Sequence, residues 1–157
     1  MNILKSERYI SEKLNIQPVT KDRLTGFAKY KMYKTPSEMR KNFRTGDIVS
    51  FTCYTKVEFA TFVSYDDYLS DRYSFIRDEF PQNAPSFSEG IFVHKHGGDL
   101  SLYCCLSDFD DNLVHYNKNC EVMRVYRRNT AKPSKKSDFT NLRYDNTVLI
   151  YEMEYEE

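Results

Sequence analysis

The chain has 157 residues, 40% of them hydrophobic and 15% aromatic, which is enough to bury one core and excludes disorder throughout. Lys and Arg total 23 and Asp and Glu total 23, so bulk charge singles out no polyanionic partner. No apolar run approaches the ~18 residues of a membrane span, and five Gly, five Pro and four Cys fit neither a collagen-like chain nor a disulfide scaffold.

Residues 1–45 hold eleven basic and four acidic residues, a net +7, so residues 46–157 carry −7. The opening residues mix charges into their apolar positions, unlike a secretory leader. Ile3, Ile10 and Leu14 fall near helical spacing, with Ser6 as a cap, and Pro18 ends that segment. Thr20 opens a brief turn that Gly26 closes. Thr35-Pro36-Ser37-Glu38 is a helix start, with Thr35 at the N-cap, Pro36 at the first helical position and Glu38 as reciprocal partner. Residues 1–45 are therefore predicted to form a helical, basic N-terminal extension that docks onto the rest of the chain or onto a partner.

From Thr45-Gly46-Asp47 the pattern becomes β. Ile48–Cys53 and Val57–Val63 read as two strands of a hairpin around Tyr54-Thr55-Lys56. Leu69, Tyr73, Ile76 and Phe80 make one helical stripe, capped by Asp66 or Asp67 and ended by Pro81, which predicts an inserted helix packed on the core. Gly97-Gly98 is a two-residue hairpin turn. It pairs His96 with Asp99, Lys95 with Leu100, His94 with Ser101, Val93 with Leu102 and Phe92 with Tyr103. One face is then Ile91, Val93, Leu100, Leu102, Cys104 and Leu106, the predicted core side. The other is Phe92, His94, His96, Asp99, Ser101, Tyr103 and Cys105. Residues 107–112 form an acidic loop, Cys120 to Arg127 alternates as a strand, and residues 132–136 form a basic loop. Asn146 to Tyr155 reads as a last strand, with a terminal helix as the alternative. The expected fold is α+β and mainly β: residues 46–157 form a small antiparallel SH3-like barrel or curled sheet, preceded by short N-terminal helices and interrupted by one inserted helix.

His94, His96 and Asp99 gather two imidazoles and a carboxylate near the hairpin tip, a set that suits zinc or iron, although an ordinary polar tip explains them as well. Cys105 and His94 share a predicted face, but no oxyanion-hole or nucleophile motif accompanies them. Asp108, Asp110 and Asp111 lack the glycine and glutamate of a calcium loop, and no phosphate-binding glycine motif occurs. The four cysteines show no C-x-x-C spacing and read as reduced thiols. Tyr103, Arg124, Tyr126, Arg127, Arg128, Lys132, Lys135 and Lys136 combine aromatics with a basic rim and are the expected partner- or nucleic-acid-binding residues. No cofactor is expected, and no membrane association.

Residues Ile10 to Leu24 resemble short stretches of uncharacterised proteins of crAss-like phages and mobile elements of gut bacteria, and Phe43 to Val49, then a strand ending in Cys120 with a basic Arg124 following, is similar to small barrel proteins from the same source. The resemblance implies a phage or mobile-element origin, in the cytoplasm of a bacterial host or in the virion, and carries over no activity. The expected function is a non-enzymatic interaction or structural protein with a protein partner, such as a phage accessory or virion component. The alternatives are a nucleic-acid-binding small barrel, and a metal-dependent enzyme using His94, His96 and Asp99.

Overall fold

A computed structural model of the chain describes residues 32–54, 56–117, 119–128, 132–142 and 147–153. The helices expected before Pro18 and the turn at 20–26 lie outside the described residues. The first element among the described residues is helix α1 (Pro36–Arg40), where the Thr35 hydroxyl accepts the Glu38 N–H at 3.1 Å and Pro36 opens the first turn.

Six strands follow: β1 (Ile48–Cys53), β2 (Lys56–Val63), β3 (Ile91–His96), β4 (Asp99–Cys105), β5 (Cys120–Arg128) and β6 (Thr147–Glu152). They form one antiparallel sheet in the order β4-β3-β2-β1-β5-β6. The sheet is open, with β4 and β6 as edges, so the barrel closure does not occur among the described residues. The reason lies in how its faces are covered. Met39 of α1, Phe43, Leu106, Phe109 and Leu113 bury one face against Val49, Phe51, Phe62, Phe92 and Val125. Tyr68, Tyr73, Ile76, Phe80, Phe87 and Phe139 bury part of the other against Val63, Ile91, Val93 and Leu100. With helices and loops on both sides, the sheet need not curl onto itself to bury its apolar residues.

The insertion between β2 and β3 is broken into pieces rather than continuous. Helix α2 (Tyr65–Leu69) is capped by Ser64, not by Asp66 or Asp67; the Ser64 hydroxyl accepts the Asp67 N–H at 3.2 Å. Ser70 then turns to extended backbone and its hydroxyl donates to the Asp67 carbonyl, a local bond that competes with helix continuation. A short turn and helix α3 (Ser74–Glu79) follow. Tyr73, Ile76 and Phe80 are buried as the stripe requires, while Leu69 is exposed and Tyr68 takes its place in the core.

The β3–β4 hairpin keeps the expected register from His96–Asp99 to Val93–Leu102. A bulge at Tyr103 then pairs Phe92 with Cys104 and Ile91 with Cys105. The two cysteines therefore sit on the faces opposite to those expected, and Leu102 is half-buried. A second bulge, at Met123, breaks the alternation predicted for β5. The β1–β2 turn is tighter than expected, since Cys53 pairs with Lys56 and Tyr54 takes φ +56°. The last strand is present as β6, so the described residues Thr147–Glu152 are strand and not helix.

Residues 33–45 are tied into the sheet. Tyr33 N–H donates to the Ile150 carbonyl, and the Phe43 ring stacks on Phe62 at 5.1 Å. Arg40 donates to the carbonyls of Leu106 and Phe109 and pairs with Glu89. Asp47, just before β1, is 1% exposed and takes a two-pronged pair from Arg127, itself 4% exposed, at 3.0 Å on each oxygen. The Arg44 N–H adds a third bond to Asp47 at 2.8 Å. Gly46 reaches this corner with φ +100°, where a β-carbon would meet Pro133 at 2.8 Å.

Ser50 and Thr61 are fully buried on the central strands, and their hydroxyls have no hydrogen-bond partner among the described residues. A buried hydroxyl without a hydrogen bond is a standing cost. Thr61→Val, which keeps the β-branched shape, is expected to raise unfolding free energy by about 1 kcal/mol in urea titrations. An equal loss instead would mean that the hydroxyl is bonded in the native protein.

Candidate functional site

The end of the sheet where β1 turns into β2 carries the densest reactive chemistry. Cys53 closes β1 and Cys120 opens β5, and the two are direct cross-strand partners. Their sulfurs lie 2.8 Å apart, and the Tyr103 hydroxyl hydrogen-bonds Cys53. Tyr103 is aimed here by the β4 bulge, packing its ring on Phe51 and on His94, both at 5.1 Å. Cys53, Tyr54, Tyr103, Cys104, His115, Asn117, Asn119 and Cys120 line an open cleft of about 240 Å³. A second cleft of about 210 Å³ shares Tyr54, Asn119 and Cys120 and adds Thr52, Val114 and Glu121.

The loop behind these clefts is built by its polar residues. Asp110 accepts the N–H groups of Asn112 and Val114, which lets Leu113 take φ +58° and point into the core. Phe109 and Val114 make single bridges to His115 and Glu121, setting the loop beside β5.

The three hydroxyl and thiol groups titrate as one unit. Hydrogen bonding from Cys120 lowers the Cys53 thiol to about 7; burial opposes this, the Tyr103 hydroxyl adds to it, and the Glu58 carboxylate works against it. The bond to Cys53, with burial, pushes the Cys120 thiol up. Burial and the same sulfur hold the Tyr103 proton in place. Burial pushes Cys104 up as well, with Asp108 adding to it. Cys53 is thus the most readily ionised sulfur of the group, hydrogen-bonded to both Cys120 and Tyr103.

The residues expected to bind a partner or nucleic acid are dispersed. Arg127 is spent on Asp47; burial works against its charge, but the bond to Asp47 outweighs that and raises its pKa. Burial, in turn, pushes the Asp47 carboxyl up against the pull of Arg127. Arg124 pairs with Glu152 at 2.9 Å, and Arg128 donates to the carbonyls of Gly46 and Asp138. Lys132 pairs with Asp67, and Lys136 with Glu79 and Asp99. Lys135 is exposed, and Tyr126 is buried beside Ile48. Of the eight, only Tyr103 reaches the cleft. The His94 and His96 rings are 6.4 Å apart, and Asp99 faces Lys136 at 3.3 Å. Among the described residues no three His, Cys, Asp or Glu side chains group so as to hold a metal ion.

The pairing of Cys53 with Cys120 was not visible in the sequence, because they are 67 positions apart and their strands' adjacency is a tertiary fact. What the sequence did carry was a cysteine at one end of each strand. Comparison with family models, curated proteins and solved structures finds nothing that matches this chain.

The titration of Cys53 has a direct check. Its alkylation by iodoacetamide, followed by peptide mass spectrometry, is expected to rise with pH through a midpoint near 7. Cys104 is expected to react only in more alkaline solution. A Cys53 midpoint above about 8.5, the ordinary free-thiol value, would contradict the effect assigned to its Cys120 and Tyr103 hydrogen bonds.

Proposed function

We propose that the protein is a non-enzymatic interaction module that docks a protein partner at the cleft end of its sheet. The observation that carries this reading is the pair of tyrosines there: Tyr54 is 79% exposed and Tyr116 is 70% exposed, one on each of the segments that bound the clefts. Tyrosine joins a large apolar ring to a polar tip and anchors many protein interfaces. Asp110 and Asp111 are exposed on the same loop and Glu121 lines the second cleft, so the matching partner surface is basic around an apolar centre.

The basic residues support a protein partner over nucleic acid, since a polyanion would compete with Glu152, Asp47, Asp67, Glu79 and Asp99 for them. The resemblance of residues 10–24 and 43–49 to phage proteins supports a phage accessory or virion component as the setting.

The test is quantitative affinity capture from host lysate with the full chain, compared with Tyr54→Ala, Tyr116→Ala and the surface control Leu69→Ala. The expected result is a protein lost at least about tenfold on each tyrosine substitution, as hot-spot truncation predicts, and retained by the control. Nuclease-sensitive recovery of RNA or DNA, or equal capture by all variants, would refute the proposal.

A further inference from the structure

The backbone around Cys53 and Cys120 is set for a bond between them. The Tyr54 N–H donates to the Asn119 carbonyl at 3.1 Å, which makes 54 and 119 the hydrogen-bonded pair. The next pair along, Cys53 and Cys120, is then the narrow, non-bonded kind; the Cys120 carbonyl turns away and accepts the His115 N–H at 2.8 Å. Narrow antiparallel pairs have Cα atoms ~4.5 Å apart, inside the ~4.4–6.8 Å that a disulfide spans. Both side chains are half-buried rather than sealed, and both line the open cleft. A small reagent thus reaches the sulfurs without unfolding.

We propose that Cys53 and Cys120 are a redox-active dithiol, a modification site that takes hydroperoxides as its two-electron oxidant and closes into a cross-strand disulfide. The Cys53 thiolate attacks the terminal oxygen of the hydroperoxide. An S–O bond forms, the O–O bond breaks, and the alkoxide or hydroxide leaves with a proton from solvent. Cys53 is then a sulfenic acid, oxidised by two electrons, and the peroxide has been reduced. The Cys120 sulfur attacks the Cys53 sulfur, the S–S bond forms, the S–O bond breaks, and hydroxide leaves as water with the Cys120 proton. Two thiols and one hydroperoxide become one disulfide, one alcohol (or water) and one water. Cys120 is already against Cys53, so the second step needs no rearrangement of the strands. The depressed Cys53 thiol makes it the attacking sulfur, and Cys104, which has no sulfur partner among the described residues and whose proton is held, is the bystander. The dithiol goes beyond the docking proposal and stands whether or not Tyr54 and Tyr116 hold a partner.

The experiment treats the full, reduced chain with hydrogen peroxide, quenches by alkylation, and maps disulfides by non-reducing peptide mass spectrometry. The expected product is an intramolecular Cys53–Cys120 disulfide, reversed by dithiothreitol. At neutral pH it forms at least about tenfold faster than Cys104 or Cys105 is oxidised, the advantage a thiol half-ionised at that pH holds over an ordinary one. In Cys120→Ser, Cys53 is expected to persist as a sulfenic acid trapped by dimedone; Cys104→Ser is expected to behave as wild type. The wild-type map decides the matter even where a variant folds poorly. Uniform oxidation of all four cysteines, a disulfide from Cys53 to Cys104, only intermolecular disulfides, or a Cys53 left as free thiol would each overturn the proposal.

Discussion

The structure turns on a buried ion pair. Asp47 and Arg127 meet at one end of the β1–β5 ladder, almost wholly removed from water, with two charge-assisted bonds and a third from the Arg44 backbone. Arg127 also donates to the Asn42 carbonyl, and its guanidinium lies 5.8 Å from the Tyr33 ring centre. The pair therefore joins the segment before β1 to the strand that runs beside it. Isolating either charge there would be costly, so chain register, the position of residues 33–45 and the ladder are set together.

The same ladder carries the cysteines at its other end. In a regular strand Cys120 and Arg127, seven positions apart, point to opposite faces. The Met123 bulge removes that mismatch, so Arg127 meets Asp47 and Cys120 meets Cys53 on one face. On β4 the Tyr103 bulge does the equivalent, swinging the tyrosine hydroxyl onto Cys53. Two irregularities in the sheet thus assemble the group that the regular pattern would scatter. The charge of the chain is handled likewise: most of the basic island from 124 to 136 serves as internal fastening, and the exposed tyrosines are left to face outward.

The legible parts of this fold are those with local causes. The Thr35-Pro36 start of α1, the Gly97-Gly98 turn, the strands near 48, 57, 91, 120 and 147 and the burial of Tyr73, Ile76 and Phe80 follow from capping, turn chemistry and periodicity. The open sheet did not, because β1–β5 adjacency depends on how helices cover the faces. Neither of these two bulges has a sequence signature here, so strict alternation puts Cys104 and Cys105 on each other's faces. The basic run suggested an outward surface because charge is visible in sequence and its partner is not: Asp47 is 80 positions from Arg127.

The most direct test of this account is a double-mutant cycle on Asp47→Ala and Arg127→Ala, measured by urea unfolding. Each single substitution is expected to cost about 3–5 kcal/mol, since it strands the opposite charge in the interior. The double variant is expected to cost less than the two losses added, by at least about 1 kcal/mol, because it strands neither. Strictly additive losses, or an Arg127→Ala cost below about 0.5 kcal/mol as for an ordinary surface position, would show that the guanidinium is solvated and that the pair does not organise the fold.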